Sequence, residues 1–173
     1  MNSAWDISQL FVKESLSRSP CEERIEFLGG WVTRFFDQLD ANITNDEKLK
    51  LMNGNGRACH RAGLQGTPPK KMNLDQLIEE LQRRQGPDNC IRDGNDIVFS
   101  YRETFADANG TKGHCLCPIA ESMPKHLSGT FCLCSVGYVQ DIFESATDKK
   151  FRVELLESLI RGGKGCRFKI SPA

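Results

Sequence analysis

The chain falls into a first half with helical spacing of apolar residues and a second half in which apolar and polar residues alternate. The clearest helical run places apolar residues three or four positions apart at Ile25, Leu28, Val32, Phe35 and Leu39. This spacing predicts a helix with one apolar face, because a helix brings such positions to the same side. A rougher apolar face between Trp5 and Leu16 predicts an earlier helix.

Capping signals mark where the helices begin. Residues 19–22 (SPCE) combine a serine cap, a proline at the first helical position and a glutamate three residues on, and Thr44-x-x-Glu47 is a second capping box. Asn73 is expected to cap a short helix that carries apolar residues from Leu74 to Leu81. Glycine is unfavourable inside a helix, so the run at 53–56 (NGNG) predicts a break or kink.

The second half predicts strands. A hairpin is expected around Asp93-Gly94, a short strand over 114–119, and a second hairpin over 151–170 with its turn at 161–165. A helix is expected between them, after the turn at 127–130. The predicted fold class is α+β, with N-terminal helices packed on a mostly antiparallel sheet that ends in a β-hairpin. We expect one domain over 1–173, with a mainly helical part (1–85) and a cysteine-rich α+β part (90–173).

Charge and apolar content restrict the function. The chain has 23 basic and 23 acidic residues and a formal net charge of zero, which argues against a dedicated nucleic-acid binder. No apolar run is long enough to predict a membrane span, and the first residues do not resemble a secretory signal. We therefore expect a cytoplasmic protein whose thiols stay reduced.

Cysteine is the residue type that points most directly to chemistry. Eight cysteines occur in 173 residues, and four of them form two Cys-x-Cys pairs, Cys115/Cys117 and Cys132/Cys134. Cys59 precedes a histidine, and Cys166 lies in a basic stretch. In a reducing compartment such thiols are candidates for metal binding or nucleophilic chemistry, rather than for a disulfide framework.

The spacing of the pairs limits how they could bind a metal. Thiols that are two residues apart on a strand lie about 6.5 Å apart along the chain, which is too far for both to bind one zinc ion. Each Cys-x-Cys pair in a regular strand would therefore contribute one ligand to a common zinc site. The preferred metal set is Cys59, Cys117, Cys132 and Cys134, with zinc as the candidate ion. Cys115, His60 and Cys166 remain alternative ligands. The competing interpretation is that several of these cysteines are small buried core residues.

A thiol nucleophile is the second hypothesis. Cys132 and Cys134 lie at a predicted helix N-terminus, where the helix dipole would lower the pKa of a thiol and hold an oxyanion. His114 is the preferred base, and the other candidates for the base and for an orienting carboxylate are His60, His126, Glu121, Asp141 and Glu144.

Short motifs in the last third resemble known families. They are Cys132-x-Cys134-x-x-Gly137-Tyr138, then the runs 153–156 (VELL), 161–165 (RGGKG) and 166–170 (CRFKI). This tail resembles a family of uncharacterised cysteine-rich bacterial proteins and the 4-vinyl reductase domain, and 56–59 (GRAC) is similar to the first of these. The L-2-amino-thiazoline-4-carboxylic acid hydrolase family is more distantly similar.

The resemblance implies an α+β ligand-binding fold whose pocket or metal-site residues would be Cys132, Cys134, Glu154 and Cys166. The leading hypothesis is a small-molecule- or metal-binding sensor or carrier with a cysteine-lined pocket. The alternatives are a thiol-dependent hydrolase and a structural or interaction protein with core cysteines. The expected partner is a small-molecule ligand, not a nucleic acid or a membrane, and a homodimer stays open.

Overall fold

The computed structural model describes residues 21–107, 109–122 and 127–173. Its helices are α1 Cys21–Asn42, α2 Asn45–Gly63, α3 Leu74–Gln85, α4 Pro118–Ser122 and α5 Cys134–Thr147, and its strands are β1 Cys90–Asp93, β2 Asp96–Tyr101, β3 Phe151–Glu157 and β4 Cys166–Pro172. The helix predicted between Trp5 and Leu16, and the start predicted at Ser19, lie outside the described residues. Both remaining caps are confirmed, since the side chains of Thr44 and Asn73 accept backbone hydrogen bonds in capping boxes.

The four strands form one antiparallel sheet in the order β1-β2-β4-β3. Alternation along the strands places one set of side chains on the helices, and Phe99 and Phe168, opposite each other in β2 and β4, are almost completely buried. The side chains of Val139 and Phe143 on α5 are buried in the same core. The predicted α+β class and both predicted hairpins are confirmed.

A second, smaller core lies under α1, where Phe36 and Leu39 pack with Met52 of α2 and with Phe131. The predicted apolar face of α1 is only partly buried. Leu39 is in this core, whereas Leu28 and Phe35 are exposed in the described structure. The spacing therefore identified the helix but not the side that packs. The reason is that further apolar residues, among them Phe27, Trp31 and Phe36, widen the apolar face.

The predicted kink at 53–56 is wrong, since α2 runs without interruption from Asn45 to Gly63. The glycines instead allow two helices to touch. A Cβ atom added to Gly56 would lie 1.8 Å from the carbonyl oxygen of Cys134, and one added to Gly137 would lie 1.9 Å from that of Asn53. Backbones this close leave no room for a side chain, so packing against α5 explains glycine inside α2.

Two further predictions need correction. Residues 114–119 do not form a strand; they run as irregular chain into α4, which begins at Pro118. The β3–β4 connection is longer than a tight turn, since it contains a 3₁₀ segment at Leu159–Arg161, and of its glycines only Gly162 has a positive φ (80°). Within the described ranges, no helix is both long and apolar enough to cross a bilayer.

Candidate functional site

Five cysteines line one small cavity between the start of α5, the end of β2 and the segment before α4. The cavity has a volume of about 40 Å³. Its thiols belong to Cys115, Cys117, Cys132, Cys134 and Cys166. The remaining wall includes the aromatic rings of Tyr101 and Phe131 and the hydroxyl groups of Thr104 and Ser135. We refer to this site as the thiol cavity.

Irregular backbone explains why both members of each Cys-x-Cys pair reach the cavity. Cys132 lies in a 3₁₀ segment, Gly129–Leu133, and Cys134 is the first residue of α5. The change of helix type between them removes the regular angle that would direct two such side chains to opposite sides. Cys115 and Cys117 lie in chain without regular structure. The one-thiol-per-pair limit expected for regular elements therefore does not apply here.

Burial raises the pKa values of four of the cavity thiols, which favours their protonated form at neutral pH. Desolvation raises the pKa of Cys134 to about 12 and that of Cys132 to about 11, although the neighbouring hydroxyl of Ser158 partly opposes the rise at Cys132. Burial also raises the pKa values of Cys115 and Cys166. The expected thiolate at the start of the helix is therefore wrong for the metal-free protein, because loss of hydration outweighs the helix dipole.

The cavity contains part of the metal set predicted from the sequence. Cys117, Cys132 and Cys134 line it, whereas Cys59 is exposed on α2 and does not. Cys115 and Cys166 take part instead. Among the described residues, no three histidine, cysteine, aspartate or glutamate side chains are already arranged to hold a metal ion. The thiols thus line the same cavity, but they do not have the arrangement of ligands around a bound metal ion.

The predicted base and the predicted ligand-binding glutamate lie elsewhere. His114 is exposed and lines an open groove with Glu103 and Lys112, and its backbone N–H donates to the carbonyl of Glu103 at 3.1 Å. Glu154 is exposed on β3, opposite Lys169 of β4. Neither residue is part of the cavity wall. His126 lies outside the described residues.

His60 belongs to a separate group of ionic side chains between α2 and α5. Its Nδ1 lies 2.9 Å from the carboxylate of Asp141, which is 2% exposed and also accepts from Arg61 at 2.8 Å. Arg57 donates to Glu144 at 2.9 Å and approaches Asp141 at 3.4 Å. We call Arg57, His60, Arg61, Asp141 and Glu144 the charge cluster.

Both carboxylates of the charge cluster are paired with basic side chains. Burial alone would raise the pKa of Asp141, but hydrogen bonds from Arg61 and His60 outweigh it and lower that pKa. At Glu144 burial also raises the pKa, but the hydrogen bonds from Arg57 and the backbone N–H of Phe151, together with the nearby positive charges, outweigh it. The sequence signal was the spacing of the basic residues, since positions 57, 60 and 61 share one face of a helix. Asp141 was among the candidate carboxylates, but the sequence analysis missed its two arginine partners.

A larger open groove of about 500 Å³ lies beside α3. Long charged side chains line it, and Glu80 there is paired with Arg83 and Arg84 on the surface. Exposed pairs of this kind are ordinary surface features. The thiol cavity is therefore the candidate site, because it gathers the reactive side chains.

Residues 110–173 match the model of a family described as "Family of unknown function (DUF6144)". This is the stretch that holds most of the motifs behind the sequence resemblance. Comparison with solved structures finds a vinyl-4-reductase family protein from Methanocaldococcus jannaschii, with 10% identity and a TM-score of 0.35 over 100% of this chain and 99% of that one. The resemblance to that family is thus found again, but at this TM-score it supports no inference about ligand or reaction. No curated protein matches the chain.

Proposed function

We propose that the thiol cavity binds a thiophilic metal ion, with Zn²⁺ as the first candidate, and that the protein acts as a sensor or carrier of that ion. The observation that carries the proposal is the gathering of five thiols around one small space. Sulfur ligands favour soft and borderline ions such as Zn²⁺ and Cu(I) over Mg²⁺ or Ca²⁺.

The size of the cavity supports an ion over an organic ligand. Pockets for drug-sized molecules typically enclose about 300–1,000 Å³. The thiol cavity encloses about 40 Å³, which is close to the volume of one water molecule in the liquid, about 30 Å³. The small-molecule ligand expected from the sequence would need the cavity to open. An ion would need only that the surrounding sulfur atoms approach it.

Two features of the thiols determine how an ion would enter. Cys132 and Cys134 have raised pKa values, so binding must release protons from thiols that are neutral in the free protein. Cys115 and Cys117 lie on irregular chain, which can move at a lower energetic cost than a helix or strand. We therefore expect these two cysteines to move toward Cys132 and Cys134, which regular or 3₁₀ structure holds in place.

Metal titration of the reduced protein tests the proposal. Cd²⁺ is a suitable probe because its thiolate complexes absorb in the ultraviolet, and Zn²⁺ binding can then be measured by competition. We expect one ion per chain, release of protons on binding, and a loss of affinity of more than about 100-fold in Cys132→Ser and Cys134→Ser, since even residues that only support metal ligands contribute about 10–100-fold.

Cys59→Ser is the matched control because it removes an exposed thiol outside the cavity. It should bind Cd²⁺ as the unaltered protein does. An equal loss of affinity in Cys59→Ser and Cys132→Ser would place the site elsewhere than in the thiol cavity. Absence of thiolate absorption from the reduced protein at saturating Cd²⁺ would rule out the proposed function.

A further inference from the structure

Ser158 has a buried hydroxyl group that no neighbour uses. The residue is 1% exposed, and within the described ranges its Oγ is the buried side-chain oxygen or nitrogen atom that has no hydrogen-bond partner. Such a group loses its bonds to water on folding without replacing them, which is unfavourable for the folded state. The stability of the free protein therefore does not explain why a serine occupies position 158.

The backbone of Ser158 has a clear structural role that does not involve the hydroxyl. The residue follows β3 and precedes the 3₁₀ segment Leu159–Arg161, and its carbonyl accepts from Arg161 at 3.1 Å and from Gly163 at 2.9 Å. The side chain makes no capping bond to that segment. Residues without a side-chain oxygen could supply the same carbonyl, so the turn does not explain the serine.

Ser158 lies next to the wall of the thiol cavity, which includes Ile160, two residues further along the chain. The neighbour of its hydroxyl group is the sulfur of Cys132, which would accept a hydrogen bond from Ser158 once it is ionised. A neutral thiol is a weak acceptor, whereas a thiolate, free or bound to a metal, is a strong one. The missing partner of Ser158 is thus a Cys132 sulfur that carries negative charge, as a sulfur bound to a metal ion does.

We infer that Ser158 is a positioning residue of the metal site, whose hydroxyl donates to the sulfur of Cys132 when that sulfur holds the ion. The inference rests on the function proposed above. Groups that hydrogen-bond to metal ligands orient them and stabilise their charge, and their removal typically lowers metal affinity by about 10–100-fold. Ser158 would therefore select Cys132 among the five thiols as the anchor of the ion.

The inference predicts opposite effects on folding and on binding. Ser158→Ala removes a hydroxyl that is unsatisfied in the metal-free protein, so its melting temperature without metal should be equal or higher. Its affinity for Cd²⁺ should be about 10–100-fold lower. A role confined to packing or to the turn would not produce this pair of results. Thr104→Val is the comparison for stability, because the Thr104 hydroxyl is fully used, accepting from the Cys166 N–H at 2.8 Å and donating to Tyr101.

A matched pair of variants separates the hydroxyl from the shape of the side chain. Ser158→Thr and Ser158→Val differ only in that the first keeps a hydroxyl, so any crowding is common to both. The threonine variant should bind Cd²⁺ about 10–100-fold more tightly than the valine variant. Equal affinity in this pair, or a clear loss of metal-free stability in Ser158→Ala, would overturn the inference while leaving the proposed metal site in place. A wild-type protein that binds no Cd²⁺ would overturn both.

Discussion

The two groups of polar side chains that border α5 differ in how far their bonding capacity is used. In the charge cluster, the carboxylate of Asp141 accepts from Arg61 and His60, and Glu144 accepts from Arg57. In the thiol cavity, burial raises the pKa values of Cys132 and Cys134, and the nearby hydroxyl of Ser158 has no partner. The carboxylates of the charge cluster are therefore paired in the free protein, whereas the polar group next to the thiol cavity has no partner.

Whether polar side chains already have partners is a better guide to their role here than whether they are histidines, carboxylates or thiols. The sequence analysis names His60 among the candidate bases and Asp141 among the candidate orienting carboxylates, yet in the structure the two lie among arginines that join α2 to α5. Buried ionic groups that are fully paired are costly to disrupt and have little left to offer a ligand. Buried thiols that remain neutral add little to the folded state by their chemistry, but they can release protons to an ion. This contrast supports a structural role for the charge cluster and is consistent with the binding role proposed above for the thiol cavity.

Asp141→Ala should have the largest effect on stability and none on the thiol cavity. The variant leaves His60, Arg61 and Arg57 without their shared carboxylate. Breaking a fully buried ion pair costs about 3–5 kcal/mol, and we expect a loss at the lower end of that range because the Arg61 side chain is 66% exposed. Urea unfolding measures this loss, and Cd²⁺ titration of the folded variant should match the unaltered protein. Asp148→Asn is the control, since its pair with Lys71 is exposed and asparagine tolerates the positive φ (58°) of this position. A loss of Cd²⁺ binding in Asp141→Ala would mean that the two groups are coupled.

Gly56→Ala should destabilise both groups together, because Gly56 lies between them. The added Cβ would lie 1.8 Å from the carbonyl oxygen of Cys134, so α2 and α5 must separate. We expect a loss of about 3 kcal/mol in the free energy of unfolding, at the upper end of the usual cost of overpacking. The start of α5 also carries two cavity thiols, so Cd²⁺ affinity should fall as well. Unchanged stability would contradict the close contact of the helices.

Alkaline pH should weaken the metal-free protein through the thiols. Folding raises the pKa values of Cys132 and Cys134 from 9.0 to about 11 and about 12, so between these limits the folded state binds more protons than the unfolded state. Stability from these groups is thus full below pH 9 and is lost as the pH rises, by up to about 1.4 kcal/mol per pH unit for each thiol.

Urea unfolding at several pH values above 9, under reducing conditions, measures this slope. Cys132→Ser should have a shallower slope, whereas Cys59→Ser, which removes an exposed thiol, should retain the slope of the unaltered protein. The charge cluster should not contribute here, because its carboxylates have lowered pKa values and titrate only in acid. Equal slopes in all three proteins would show that the cavity thiols are more hydrated than their burial indicates.

Local patterns predicted the fold well because they act over a few residues. The caps at Thr44 and Asn73, the Asp93-Gly94 hairpin and the alternation in β4 all depend on neighbours in sequence. The same reasoning selected the thiols at Cys117, Cys132 and Cys134 for a common site. It placed Cys59 in the preferred set and kept Cys115 and Cys166 only as alternatives, because the side of a helix or loop that faces a cavity is decided by distant contacts.

The features that sequence reasoning missed depend on tertiary structure. Ser158 has no neighbour in sequence that marks it, since it approaches Cys132 only when the β3–β4 connection folds back over the start of α5. The position of His114 was misjudged because 114–119 alternates like a strand but is irregular chain. Glycine was interpreted as a helix breaker at 53–56, whereas its small size is what the contact between α2 and α5 requires.

Gly54→Ala should have the smallest effect on the free energy of unfolding, and it should stabilise the protein, whereas Gly56→Ala should destabilise it. Gly54 lies two residues away in the same helix, but nothing is within 4 Å of where its Cβ would be, so it belongs to neither group of polar residues. Alanine in a helix interior is favoured over glycine by about 0.5–1 kcal/mol, and the variant should gain that much stability. Cd²⁺ affinity should not change. Urea unfolding of Gly54→Ala and Gly56→Ala therefore tests two features of α2. A gain in stability at position 54 would indicate an uninterrupted helix, and a loss of stability at position 56 would indicate the contact with α5. A loss at both positions would favour the kink that the glycine pattern predicts.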